Sequence, residues 1–188
     1  MKKLIATSLT VVVFVAASFV SAYAGWNPLK NAKAEDQKVN NRKVAEAIAN
    51  FKNSDPDMKV FFEKAYGYAV FPTVAKGGIG IGGAYGAGEV FEKGKLIGYS
   101  GLAQVTIGFQ LGGQAYSEII FFKDKKTLDD FKGGNFEFGA QASAVAATAG
   151  VSRDADYDNG VAIFTIAKGG LMYEASVGGQ KFSYESKQ

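Results

Sequence analysis

Lys76 and Lys168 occupy equivalent places in two copies of one short pattern, Ala75-Lys76-Gly77-Gly78 and Ala167-Lys168-Gly169-Gly170. A lysine beside backbone amides that no side chain shields is the chemistry of an anion or phosphate cradle. The same residues also describe an ordinary polar turn with its lysine in water. Around the first copy, Gly78-x-Gly80-x-x-Gly83 matches the dinucleotide pattern in form. That fingerprint needs a strand before it and a helix opening at its last glycine. Here glycine continues to Gly88, and glycine propagates a helix poorly.

The remaining candidates are weaker. Asp154-x-Asp156-x-Asp158-Asn159-Gly160 offers oxygen ligands for calcium. An EF-hand places glycine sixth and a bidentate glutamate twelfth, whereas Asn159 and Thr165 stand there, so the segment reads as a solvated acidic turn. Ser100 lies in Gly98-Tyr99-Ser100-Gly101, where the second glycine is misplaced for a nucleophile elbow. Glu118 and Glu137 are the carboxylate types a glycosidase uses, but nothing in the sequence sets them across a cleft. The chain has no His and no Cys, which removes Ser-His-Asp chemistry, thiolate nucleophiles, disulfides and imidazole or thiolate metal sites. The expectation is a protein that is not an enzyme, with no catalytic residue, no metal and no cofactor.

The elements that must position these residues begin after a leader. Lys2 and Lys3 precede an apolar run from Leu4 to Val20, and Ala22-Tyr23-Ala24 has the small-x-small form of a cleavage site. Residues 1–24 therefore read as a signal peptide cleaved before Gly25, which gives a periplasmic or secreted protein. Losing Lys2 and Lys3 lowers the net charge from +3 to +1, a balance that argues against nucleic acid as partner. Residues 25–66 read as an N-terminal helical region and 67–188 as a glycine-rich β domain. Together, 25–188 form one domain.

A first helix is expected over about Ala34–Asn53. Val44, Ile48 and Phe51 sit at i, i+4 and i+7, with Lys38, Arg42, Lys43 and Lys52 around them. Such a stripe either docks on a sheet with its lysines in water or lies on a membrane surface, lysines near anionic lipid. Ser54-Asp55-Pro56 is a helix start for a short second helix over Met58–Ala65, ended by Gly67.

From Tyr68 the period becomes two. In the stretch from Ala75 to Gly88, Ile79, Ile81, Tyr85 and Ala87 share one face, and Gly78, Gly80, Gly82, Gly86 and Gly88 leave the other almost bare. A bare face of this kind lets another backbone, a ligand or a protein or glycan partner come close. Glu92-Lys93-Gly94-Lys95 reads as a hairpin turn, Val105–Gln114 and Tyr116–Phe122 as strands, and Asp124–Phe131 as an inserted helix. Phe136–Ala144, Val161–Ala167 and Leu171–Val177 complete the strands. The class is α+β: mainly antiparallel β, as a small barrel or sandwich, with two N-terminal helices and one short inserted helix.

Four blocks in order carry a family resemblance. They are Lys76-Gly77-Gly78-Ile79-Gly80, Gly108-Phe109-Gln110-Leu111-Gly112-Gly113-Gln114, the segment from Phe131 through Phe136-x-Phe138-Gly139-Ala140 to Ser143, and Lys168-Gly169-Gly170-Leu171. From about Ala69 to Tyr184 the chain resembles the SYLF domain family of lipid-binding proteins. The resemblance implies membrane lipid as partner rather than catalysis. Eukaryotic members are linked to phosphoinositides, partly through an amphipathic N-terminal helix, and some yeast members to actin. Only affinity for anionic lipid is carried over here. It falls on the basic helix (Lys38, Arg42, Lys43, Lys52, with Val44, Ile48 and Phe51) and on Lys76 and Lys168. The other expectation is an envelope interaction protein that docks a partner on its glycine face.

Overall fold

The computed structural model describes residues 41–108, 113–134, 136–139, 143–153, 155–168 and 175–187. Residues 1–24, where a signal peptide is expected, and Lys38 and Asp154 lie outside the described residues.

Helix α1 (Asn41–Ser54) turns Val44, Ala47 and Phe51 inward. Asp55 then caps a 3-10 turn, Pro56–Met58, its side chain accepting the Asp57 N–H at 3.1 Å, and α2 (Lys59–Lys64) follows. Here the Ser-Asp-Pro start works as expected. The chain is already extended at Ala65. Gly67 opens the next strand, where a Cβ would stand 2.6 Å from the Phe91 carbonyl.

That strand, β1 (Gly67–Glu92), is followed by β2 (Lys95–Gly108), β3 (Gly113–Phe122), α3 (Lys125–Lys132), β4 (Ser143–Ala146), β5 (Val161–Ala167), β6 (Ala175–Ser176) and β7 (Gln180–Ser186). The sheet order is β6-β4-β5-β3-β1-β2-β7. Every pairing is antiparallel except β4 with β5. The protein is thus α+β, mainly antiparallel, with two helices before the sheet and one inserted in it among the described residues.

The sheet is not closed, so the barrel form of the expectation is corrected. β6 and β7 are its two ends. Instead it curls until β7 faces β3, with Phe71 and Phe182 ring centroids 5.7 Å apart and Gln180 Nε2 donating to Glu118 Oε2 at 3.0 Å. Residues Phe136–Phe138 lie along the outer edge of β7: the Phe138 N–H reaches the Gln180 carbonyl at 3.1 Å, and the Phe182 N–H reaches that of Phe136 at 3.2 Å. A short covering segment of this kind hides an edge that would otherwise template aggregation. It replaces the first half of the strand expected over Phe136–Ala144; only Ser143–Ala146 joins the sheet ladder beyond it.

β1 folds back on itself. Its first arm pairs with β3 and its second with β2, while the Lys93 N–H bonds to the Tyr66 carbonyl at 3.0 Å. The pairing with β3 slips between Phe71 and Val74. Pro72 sits in that gap and has no N–H for the ladder; its carbonyl takes the Ser117 hydroxyl at 2.9 Å instead. The strand expected over Val105–Gln114 lies in part outside the described residues: β2 is described to Gly108, opposite Gly80, and β3 from Gly113, opposite Gly77, both antiparallel to β1.

Two apolar clusters result. One, including Phe71, Tyr116, Ile120, Phe131 and Phe182, fills the inside of the curl. The other packs α1 and α2, through Val44, Phe51 and Phe61, onto Val70, Ile119, Phe121 and Phe164 on the outer face.

Candidate functional site

Of the two readings of α1, docking on the sheet is what the structure holds. Val44 is 2% exposed and Phe51 is fully buried; Ile48 packs on the same cluster. Insertion of these side chains into a bilayer would require α1 to leave the sheet. The cations lie outside. Arg42 forms an exposed ion pair with Glu46 at 3.5 Å, Lys43 is exposed, and Lys52 Nζ sits 4.5 Å from the centroid of the Phe62 ring.

The two AKGG lysines flank the start of β3 without forming one cradle. Lys76 lies opposite Gln114 on β1, with the parity of Val74 and Tyr116, which belong to the inner cluster. It is half-buried, and desolvation lowers its pKa below the usual lysine value. Lys168 follows β5 with the parity of Ile166, on the helix-bearing face. Its N–H donates to the Ala115 carbonyl at 2.7 Å and its Nζ to Thr73 Oγ1 at 2.8 Å. Its pKa is lowered by partial burial and then by the charge of Lys43. Lys168 at the end of β5 thus feels two α1 residues far away in sequence, Lys43 opposing its charge and Glu46 favouring it.

The bare glycine face has an occupant over its described second half. A Cβ on Gly88 would stand 2.5 Å from the Val70 carbonyl and 2.7 Å from Phe71 Cδ1. On Gly86 it would meet Val74 Cγ2 at 3.0 Å. The first arm of β1 fills this face, so Gly86 and Gly88 are not available to an external protein or glycan partner. The dinucleotide-like glycines lie within β1, and no helix opens after them.

The carboxylates separate. Glu118 is fully buried and bonded to Gln180, while Glu137 is at the surface with Lys181, 3.3 Å away. They do not face each other across a cleft. Ser100 is buried inside β2, opposite Gly88. The acidic loop ends in a two-residue hairpin turn. Asn159 (φ +50°) and Gly160 (φ +84°) join Asp158 to Val161, whose N–H and carbonyl groups exchange bonds at 2.9 and 3.0 Å. That is the Asn-Gly turn preference. Among the described residues no cluster of three or more acidic side chains is placed to hold a metal.

One site was not found by sequence reasoning. A cleft of about 400 Å³ lies between residues 57–64 and the 152–157 loop. Asp55 builds it. Its buried carboxylate accepts N–H groups from Gly150 at 3.1 Å and Ser152 at 2.7 Å, besides that of Asp57. Burial opposes its charge, but these bonds and the Ser152 hydroxyl outweigh it and hold the pKa below the usual aspartate value. Arg153, the one arginine beyond the helices, then reaches Asp57 at 2.8 Å. The helix-start signal at Asp55 was legible; its second role, across nearly a hundred residues, was not.

Residues 103–188 match the family model Ysc84, described as Las17-binding protein actin regulator. This part of the chain belongs to the Ysc84 (SYLF) family. Beta cell expansion factor A of Aeromonas veronii is 31% identical over 138 residues, covering 72% of this chain and 52% of that protein. The chain thus spans about half the length of this relative. The SYLF segment contains β3, α3 and every later strand, together with the end of β2 from Ala103 to Gly108. The α1–α2 face lies before it. No helix among the described residues is long and apolar enough to cross a membrane.

Proposed function

We propose that this is a non-enzymatic lipid-binding protein of the bacterial cell envelope, exported by residues 1–24, which holds anionic phospholipid against the surface shared by α1 and the second glycine turn. The observation that carries the reading is that Lys168, partly buried and donating to Thr73 Oγ1 at 2.8 Å, also lies in the field of Lys43 on α1, which Glu46 offsets only in part. Two cations held together at a surface repel each other and gain when an anion lies across them. Arg42 and Lys52 extend the same helix outward, and Lys76 stands at the same end of the sheet on its other face. Family membership supports lipid as the ligand class. The buried places of Val44, Ile48 and Phe51 favour electrostatic attachment over insertion while α1 stays docked.

Cosedimentation of residues 25–188 with vesicles tests this. Expected are binding to vesicles containing phosphatidylglycerol, weak binding to pure phosphatidylcholine, and loss of binding as salt rises. Lys43→Gln with Lys168→Gln should weaken binding roughly tenfold or more, each lysine near such a surface being worth about 1 kcal/mol. Equal binding to both vesicle types would sink the proposal.

A further inference from the structure

The Asp55-built cleft has a composition of its own. Two cations, Lys64 and Arg153, and two carboxylates, Asp57 and Asp156, line it together with the rings of Phe61 and Tyr157. The rings are 5.6 Å apart between centroids, and burial raises the Tyr157 pKa. Its volume lies in the range of small-ligand sites. Its charges cancel, so a simple anion or a simple cation would each meet repulsion as well as attraction. A ligand carrying both charges a few ångströms apart meets only attraction.

The donors are free to serve such a ligand. Arg153 touches Asp57 through one terminal nitrogen, Nη2, leaving other N–H groups of its fork. Lys64 is exposed, with no ion pair among the described residues. Asp156 accepts the Tyr157 N–H through Oδ1 at 2.7 Å, which leaves Oδ2. A carboxylate beside aromatic rings suits a primary ammonium, which donates to the first and sits against the second. Arginine and lysine suit a phosphodiester. Val60, on the cleft wall, is 47% exposed, and Val151, next to Ser152, is 39% exposed. Exposed valines beside a polar cleft fit a ligand with an apolar continuation.

We propose that this cleft is a second site, which takes the phosphoethanolamine headgroup of a phospholipid: phosphate toward Lys64 and Arg153, ammonium toward Asp156 and the aromatic rings. The site is independent of the Lys43–Lys168 surface and does not rest on it.

The test is calorimetric titration of residues 25–188 with soluble glycerophosphoethanolamine. Amide spectra locate the perturbed residues. Saturable binding with shifts at Ser152, Arg153 and Tyr157 is expected. Asp156→Asn and Lys64→Gln, both surface changes, should each weaken it about tenfold at an unchanged melting temperature. Lys43→Gln with Lys168→Gln should leave it unchanged, which separates this site from the anionic surface. In the lipid arm, adding phosphatidylethanolamine to phosphatidylcholine vesicles should raise binding in the wild type and not in Asp156→Asn. Inorganic phosphate binding as tightly as the headgroup would overturn the proposal. So would an Asp156→Asn chain that is folded and binds equally well, or headgroup binding with no gain on vesicles.

Discussion

The Gln180 side-chain amide donates to Glu118 Oε2 at 3.0 Å and lies 3.2 Å from the Tyr116 hydroxyl, so one glutamine joins β7 to β3 through the interior of the curl. Gln104 stands beside Gln180 in the β2–β7 register, and Thr165 beside Glu118 in the β3–β5 register. A polar layer thus crosses an otherwise aromatic core. Such a layer holds a single register only when its members keep their partners.

The layer predicts a pH dependence. Burial pushes the Glu118 carboxyl from 4.5 up to about 8, against the pull of the Gln180 bond. The folded chain therefore keeps a proton that the unfolded chain releases near 4.5. The stabilisation is complete below that value and is lost as pH rises through about 8, with a slope of at most about 1.4 kcal/mol per pH unit. Glu118→Gln removes the titration. Urea unfolding at pH 5, 7 and 9 should show the variant gaining on the wild type as pH rises; a difference that does not change with pH would contradict this.

Gly88→Ala is expected to destabilise the protein by roughly 1–3 kcal/mol, because the new methyl meets the Val70 carbonyl and the Phe71 ring at less than contact distance. Gly139→Ala is the control, since nothing lies within 4 Å of a Cβ there. Equal midpoints for the two variants would show that the arms of β1 are not held this closely.

Asp55→Ala leaves three N–H groups without their acceptor. A loss of about 2 kcal/mol or more is expected. Because the folded pKa is depressed, this contribution is present above about 3.8 and disappears as pH falls through the lower folded value. The gap between wild type and Asp55→Ala should close on acidification, as followed by thermal melts.

Phe182 is fully buried, and its ring lies 5.1 Å from that of Phe131 and 5.2 Å from that of Phe138. Phe182→Ala should cost roughly 3–5 kcal/mol and Phe182→Leu much less, read as shifts in urea midpoint.

Much of the architecture was legible wherever a local rule decides it. The Lys93-Gly94 turn has φ of +50° and +76°, as the glycine and hairpin spacing require. The Asp124 start of α3 is capped by its own carboxylate on the Thr127 N–H at 2.9 Å. The period of the glycine stretch separated a bare face from a filled one. What occupied that face was not legible, because periodicity names a strand's faces and not the partner of each, and β1 supplies its own.

The candidate site divides in the same way. Residue types marked Lys43 and Lys168 separately, but the effect of one charge on the other depends on tertiary packing that periodicity does not show. The cleft was invisible because Asp57 and Arg153 meet only after Asp55 has gathered the 150–152 backbone.

β7 closes the interior from a great distance along the chain. The Gly101 N–H bonds to Ser183 Oγ, 82 positions away, and Phe182 enters a cluster whose other rings belong to earlier segments. Until residues 180–186 arrive, that cluster has no lid and β2 has an open edge. Closing that cluster requires a long-range contact, of the kind that slows folding. A chain passing amino end first through a narrow channel would remain threadable until nearly all of it had crossed.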